Sequence, residues 1–441
     1  MHRKVPRRAN LLLPLIALLA LGLGFGIWRN ARPRCPKTPV ATESATFSGP
    51  LIQRAYVWQR EWTPQVSRAI SDRASAFDGL ALLAGQVEWR AAPVLIRPAL
   101  DWSTLRSTAK PVGLVVRVQR PGKTADTAET VARLFQERLD EANAAGVAVS
   151  EFQIDYDCPQ KALDAYRAWL TTVRQRFAPT GIPLRITSLP SWLDEPAFTA
   201  LADVVDSYVL QVHSFDLTRA GKSPTVCDVE EASSWIAKAA RLGRPFFVAL
   251  PTYRCVAGYA PDGRLLGMAA DGSSPAWPPG TNVLELHSDA EAIAGLVASL
   301  SQRRPVALRG LYWYRLPIEG ESHNWRWLTL SAVMSGRVPA SRWEVVVTGG
   351  NPADFSLKNA GEKDEPPPRR IRITWSGSNR VAVADALGNW RCESTSSQVD
   401  FHGIPREVPQ RIAPGNSVPL GWIRYRGIPV SDNSYSYEIV R

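Results

Sequence analysis

The segment Glu151-Phe-Gln-Ile-Asp-Tyr-Asp-Cys-Pro159 sets two carboxylates, Asp155 and Asp157, two residues apart in a strand-like run. Strand side chains alternate between faces. Phe152, Ile154 and Tyr156 therefore share one face, and Glu151, Gln153, Asp155 and Asp157 the other. Two acids aimed into one closed space are costly to keep ionised together, which raises one pKa and makes a general acid. The competing reading is an ion-pair network in which Arg117 or Arg185, on neighbouring strands, neutralises both. A third candidate, His213, ends the run Tyr208-Val-Leu-Gln-Val-His213, with Gln211 on the same face. It could orient an acid or donate to a substrate oxygen, although a lone histidine is as often a hydrogen-bonded core residue. One histidine without HxxxH or HExxH spacing is a poor metal set, so neither metal nor cofactor is expected.

Aromatic residues gather near the same strand ends: Trp58, Trp62, Trp89, Tyr253, Trp277 and the run Tyr312-Trp313-Tyr314, in a chain with 16 Trp. Sugar rings have apolar faces that stack on aromatic rings, so such a rim suits a glycan cleft. The expected substrate-binding set is Gln153, Gln211, Tyr253, Trp58 and either Trp313 or Tyr314. The catalytic set is Asp157 as general acid, Asp155 as its orienting partner, and His213. A second carboxylate across the bond would come from Glu88, Asp216 or Glu319.

Positioning these groups takes eight strand-like runs: 55–59, 78–84, 112–118, 151–157, 183–189, 207–213, 245–251 and 309–315. Amphipathic stretches alternate with them. In the one over 124–145, Val131, Leu134, Phe135 and Leu139 fall at i, i+3, i+4 and i+8. Further helices are expected over 161–177, 191–202, 230–241 and 289–301, the last with Asp289 as N-cap. Gln86–Pro98 reads as an extra hairpin. The fold class is α/β, a (β/α)8 TIM-type barrel over 51–340. An open doubly wound sheet is the alternative, but no GxGxxG or P-loop is present. Residues 254–286, rich in Gly and Pro, read as a long loop. From about 341 to 441, strands over 343–348, 370–375, 380–384, 418–425 and 436–440 predict a small all-β, sandwich-like accessory domain.

The strand around Asp157 resembles the fourth barrel strand of family 18 glycoside hydrolases, whose pattern is D-x-x-D-x-D-x-E. Anchored on Pro159, the resemblance places Asp157 at the catalytic acid, where the family has Glu. Asp155 falls at the neighbouring Asp, Gln153 at the middle Asp and Ser150 at the first. The family also uses a sixth-strand Tyr, for which this chain has no match. The sequence is more closely similar to the bacterial proteins of domain-of-unknown-function family 3142. That similarity runs through Tyr56-Val-Trp-Gln, Phe152-Gln-Ile-Asp-Tyr-Asp-Cys-Pro, Ala249-Leu-Pro-Thr-Tyr253 and Gly310-Leu-Tyr-Trp-Tyr-Arg315. It implies a glycosidase-like barrel and brings no established activity.

With 45% hydrophobic and 21% charged residues, the 441-residue chain has an ordinary globular composition. Of its net charge of +11, residues 1–40 carry eight cations and no acid, so the body is almost neutral. That argues against a nucleic-acid binder, which needs clustered cations on its folded surface. Residues 11–28 are uncharged and apolar and follow the basic n-region 1–10. They read as a transmembrane anchor or signal segment, with a Pro-marked linker over 29–50. The expected protein is exported, anchored in the bacterial inner membrane and facing the periplasm. Export permits disulfides, and Cys158–Cys227 or Cys227–Cys255 are the expected pairs. The functional expectation is a barrel that binds and hydrolyses a glycan or polysaccharide at its C-terminal rim. The alternative is a non-catalytic glycan- or envelope-binding barrel. Deleting residues 1–40 should yield a soluble protein of unchanged fold; retention of that variant in carbonate-washed membranes would refute the single-anchor topology.

Overall fold

The computed structural model describes residues 46–440 except 91, 214–224, 271–275, 376–379, 406–409 and 427–434. Eight parallel strands close into the expected barrel: β1 (Ile52–Val57), β2 (Gly79–Trp89), β3 (Val112–Arg120), β4 (Val149–Asp155), β5 (Leu184–Ser188), β6 (Ser207–Gln211), β7 (Phe246–Pro251) and β8 (Leu308–Tyr314). The seam runs between β8 and β1, from Gly310 opposite Ile52 to Trp313 opposite Ala55. A Cβ at Gly310 would lie 2.3 Å from the Ile52 carbonyl oxygen, so glycine is what lets the two backbones meet. Pro93–Ile96 folds back antiparallel on the end of β2 as the expected hairpin.

Among the described residues eight α-helices surround the strands: α1 (Pro64–Arg73), α2 (Trp102–Ser107), α3 (Thr124–Ala145), α4 (Leu163–Phe177), α5 (Pro196–Ala202), α6 (Val229–Arg241), α7 (Ala290–Gln302) and α8 (Trp327–Met334). Their ends follow local chemistry. The Asp228 carboxylate accepts from the Glu230 and Glu231 N–H groups at 2.9 and 3.2 Å, and Asp289 caps α7 in the same way. On β4 the apolar face packs outward, with Phe152 4.8 Å from Phe135 of α3 and 4.7 Å from Phe177 of α4 between ring centres.

The opposite face of β4 fills the lumen. Glu151 is fully buried and meets two guanidiniums: Arg54 of β1 at 2.7 Å, and Arg185 of β5. The Tyr312 hydroxyl of β8 donates to its other oxygen at 2.6 Å and accepts from Arg185 at 2.6 Å. Room for this carboxylate comes from β3, where a Cβ at Gly113 would approach the Glu151 Oε1 to 2.5 Å. The arrangement forms a charged floor that ties four strands across the barrel.

Two regions differ from expectation. The loop expected over 254–286 contains a three-stranded antiparallel sheet, Arg254–Tyr259, Leu265–Ala269 and Asn282–His287. Its glycines seat a side chain: Gly258 lies against the Trp277 ring, where a Cβ would meet it at 2.6 Å. The C-terminal part is the expected all-β domain, two four-stranded sheets enclosing Phe355, Ile373, Trp375, Phe401 and Ile423. Three of its strands, Ala353–Asn359, Trp390–Ser394 and Gln398–Gly403, were not expected.

The expected disulfides are absent: Cys158, Cys227 and Cys255 are buried free thiols. Cys158 and Cys227 pack in the outer core, whereas Cys255 belongs to the cluster with Tyr253 and Leu286. No helix among the described residues is long and apolar enough to cross a membrane. The expected n-region, the span 11–28 and Cys35 lie outside the described residues.

The floor makes a stability prediction. Glu151→Gln preserves volume but leaves Arg54 and Arg185 without their counter-charge, so the protein should lose about 3–5 kcal/mol in urea unfolding. An unchanged midpoint would show that the floor does not hold the barrel.

Candidate active site

Successive inward residues of β4 rise from the floor to the C-terminal mouth. Gln153 donates to the Tyr56 hydroxyl at 2.5 Å, one layer above Glu151. Asp155 comes next, buried, with Arg117 of β3 at 3.7 Å and the Thr187 hydroxyl of β5 donating at 2.9 Å. Gln211 of β6 approaches the same carboxylate at 3.5 Å and also hydrogen-bonds Asp157. Strand pairing sets Gln86, Arg117 and Asp155 in one lateral row across β2, β3 and β4.

Asp157 stands just past β4, at the rim. Its side chain is open to solvent, yet protein surrounds it on most sides, as expected of a group inside a cleft. It is therefore reachable but poorly hydrated. Burial and then the Asp155 charge push its pKa up to about 6, against the opposing pull of Arg117 and the Gln211 hydrogen bond. Burial disfavours the Arg117 charge, but Asp155, Tyr314 and Asp157 more than restore it. The result is one carboxylate paired with an arginine beside one that holds its proton to a higher pH than an ordinary carboxyl.

The rim opposite is aromatic. The Tyr253 hydroxyl lies 3.2 Å from the His213 Nδ1, and burial lowers the His213 pKa to about 4, so the imidazole is neutral at physiological pH. Tyr314 is half-buried and touches Trp58, Tyr253 and His213, with ring centres 5.3, 5.7 and 5.9 Å apart. Trp58 is 5% exposed, most of its surface already packed on Tyr56, Tyr314 and the Arg117 guanidinium.

Trp313 is a correction. It is fully buried outside the lumen, its indole N–H donating to Gln53 at 2.9 Å and its ring beside Trp325. The alternation of β8 turns Tyr312 and Tyr314 inward and Trp313 outward. Trp89 and Trp62 also pack on the outer core. Of the second-carboxylate candidates, Glu88 pairs with Arg90 at 3.4 Å and exposed Glu319 with Arg68 at 3.8 Å, whereas Asp216 lies outside the described residues. Among the described residues no group of three or more His, Cys, Asp or Glu is placed to hold a metal ion.

Sequence reasoning missed Arg60. Its guanidinium donates twice to the Gln86 carboxamide oxygen, at 3.1 and 2.9 Å, and Gln86 donates onward to Gln119 at 2.8 Å. A separate cavity of about 660 Å³ lies between the starts of α6 and α7 and the sandwich. Its lining includes Tyr253, and its charged walls largely pair with one another, as in Lys363–Glu291 and Arg326–Asp364.

Together these features define a (β/α)8 barrel of the TIM type. Residues 108–319 match the family described as Domain of unknown function (DUF3142), the one that the sequence resembles, and residues 348–426 match Domain of unknown function (DUF8456). Among solved structures, the chain is similar to the spore cortex-lytic enzyme SleL of Bacillus megaterium, with 13% identity over 69% of this chain and 78% of that one, and a TM-score of 0.49. A chitinase from Chromobacterium violaceum aligns at 14% identity over 65% of this chain and 98% of that one, TM-score 0.43. A class V chitinase from Pseudomonas fluorescens aligns at 14% identity over 65% and 99%, TM-score 0.44. No curated protein matches the chain.

The carboxylate pair predicts a pH-dependent stability. A folded pKa of about 6 for Asp157, above the ordinary carboxylate value, means that the native state binds this proton more tightly than the unfolded chain. Its contribution is fully present below about pH 4 and is lost as pH rises through about 6. Asp157→Asn removes that loss. The melting temperature of the variant should therefore rise relative to the parent between pH 4 and 7, and parallel pH profiles would refute the assignment.

Proposed function

We propose that the barrel mouth binds a glycan and hydrolyses a glycosidic bond, with Asp157 as general acid. The observation that carries this reading is Asp157, a carboxyl whose pKa is raised, beside the arginine-paired Asp155, in a cleft walled by Tyr253, Tyr314 and Trp58. Asp157 gives its proton to the glycosidic oxygen as the bond to the anomeric carbon breaks. Asp155, paired with Arg117 and hydrogen-bonded by Thr187, stabilises the positive charge that develops on the sugar. Water adds to the anomeric carbon, and its released proton restores Asp157. The neutral His213–Tyr253 pair supplies hydrogen-bonding groups to sugar hydroxyls, Gln211 braces the two acids, and Tyr314 provides the stacking ring.

The proposal includes export, with residues 11–28 holding the barrel at the membrane where it meets envelope or external glycans. A second reading, binding without cleavage, draws on one observation: Glu88 and Glu319 are paired elsewhere, so Asp155 is the only acid placed beside Asp157 among the described residues.

Hydrolysis assays on glycan-array hits separate the readings. Asp157→Asn should lower turnover of substrates with poor leaving groups by about 10²–10⁴, spare activated aryl glycosides, and leave affinity nearly constant. If the parent binds a glycan tightly yet releases no product over days, the enzymatic reading fails and the binding one stands.

A further inference from the structure

Arg60 follows β1 directly and stands over the lateral row Gln86–Arg117–Asp155 that crosses the mouth. Two of its N–H groups are fixed by Gln86, which is fixed in turn by Gln119. A carboxamide orients a guanidinium without cancelling its charge. The acids nearby are already engaged: Asp155 with Arg117 at 3.7 Å, and Glu321 with Arg315 at 3.0 Å. Among the described residues Arg60 has no carboxylate partner, although it is half-buried. Burial, then the charges of Arg117 and Arg315, act against its own, so it sits in a cationic corner of the rim. A positive charge that is partly dehydrated, rigidly aimed and uncompensated favours an incoming anion. The remainder of the protein is nearly neutral, so the corner is a local feature of the mouth.

We propose that Arg60 is a specificity-determining residue that pairs with an anionic substituent of the bound glycan, so that the mouth selects acidic over neutral saccharides. This rests on the glycan-binding reading above but not on cleavage. Arg60 is fixed to Gln86 of β2 whereas Asp157 follows β4, so the proposal assigns Arg60 to a sugar beside the one whose bond is broken. A guanidinium takes a carboxylate or a sulfate through the same paired N–H donors, and the test distinguishes them.

The full-length protein, its Arg60→Gln and its Arg60→Lys variants are compared on an array of uronate-, sialyl-, muramyl- and sulfate-bearing glycans beside neutral ones. Affinities of the hits are then measured at low and high salt. The parent should prefer an acidic glycan over its carboxyl-reduced or desulfated form by at least about tenfold, the worth of one charge-assisted hydrogen bond. That ratio should shrink in high salt, fall below about twofold in Arg60→Gln and survive largely in Arg60→Lys. Loss of the preference on carboxyl reduction identifies a carboxylate, and loss on desulfation a sulfate. Equal binding of acidic and neutral forms by the parent, binding of no acidic glycan, or an unchanged ratio in a folded Arg60→Gln variant would each overturn the proposal. Product release is scored separately. An Arg60-dependent preference without turnover would reject only the hydrolytic reading, and turnover of neutral glycans without any preference would reject only this one.

Discussion

A carboxylate deprived of water must be matched by cations held at the right distance, and the barrel is organised around one such obligation at Glu151. Its partners come from β1, β5 and β8, so satisfying one side chain fixes the relative height of four of the eight strands. Once that height is set, every inward residue of β4 has a defined level. Gln153 meets Tyr56, Asp155 meets Arg117 and Thr187, and Asp157 reaches the rim. The chemistry at the mouth is thus a consequence of electrostatic accounting at the floor. The network of acids and arginines is graded by depth, from the paired floor to the open mouth.

Charge falls off along that axis in an informative order. At the bottom a single acid faces two arginines and a tyrosine. Midway, Asp155 shares one arginine with a neutral hydroxyl and an amide. At the top, Asp157 has poor hydration and only a partial claim on Arg117, and its proton affinity rises. Three acids on one strand therefore have three different environments, although the local sequence treats them alike. Two tyrosines and a neutral imidazole close the other side, giving the cleft an apolar wall and a polar one.

Period-two alternation on β4 was legible because Phe152, Ile154 and Tyr156 differ so sharply from their polar neighbours. The eight-strand order was legible for the same reason, helped by the helical stretches that the sequence shows after five of the strands. Where chemistry does not alternate, the pattern is silent. Tyr312-Trp313-Tyr314 is aromatic throughout, and only pairing with β1 and β7 shows that Trp313 faces the helices. Arg60 looks like any surface cation until Gln86, from another strand, is seen to hold it. Cysteine pairing depends on separations that spacing in sequence does not encode: Cys158 and Cys227 share the outer core unbonded, and Cys255 lies in another cluster. The Gly- and Pro-rich stretch after β7 misled because glycine there accommodates Trp277, not disorder.

The missing side chain at Gly113 carries a historical implication. Because the Glu151 carboxylate occupies the volume that any larger residue on β3 would need, the two positions behave as a single heritable unit. A lineage could not enlarge residue 113 without first giving up the acid, and could not regain the acid afterwards without restoring the glycine. Such mutual locking is a ratchet. It confines drift in the lumen to exchanges that keep the floor intact.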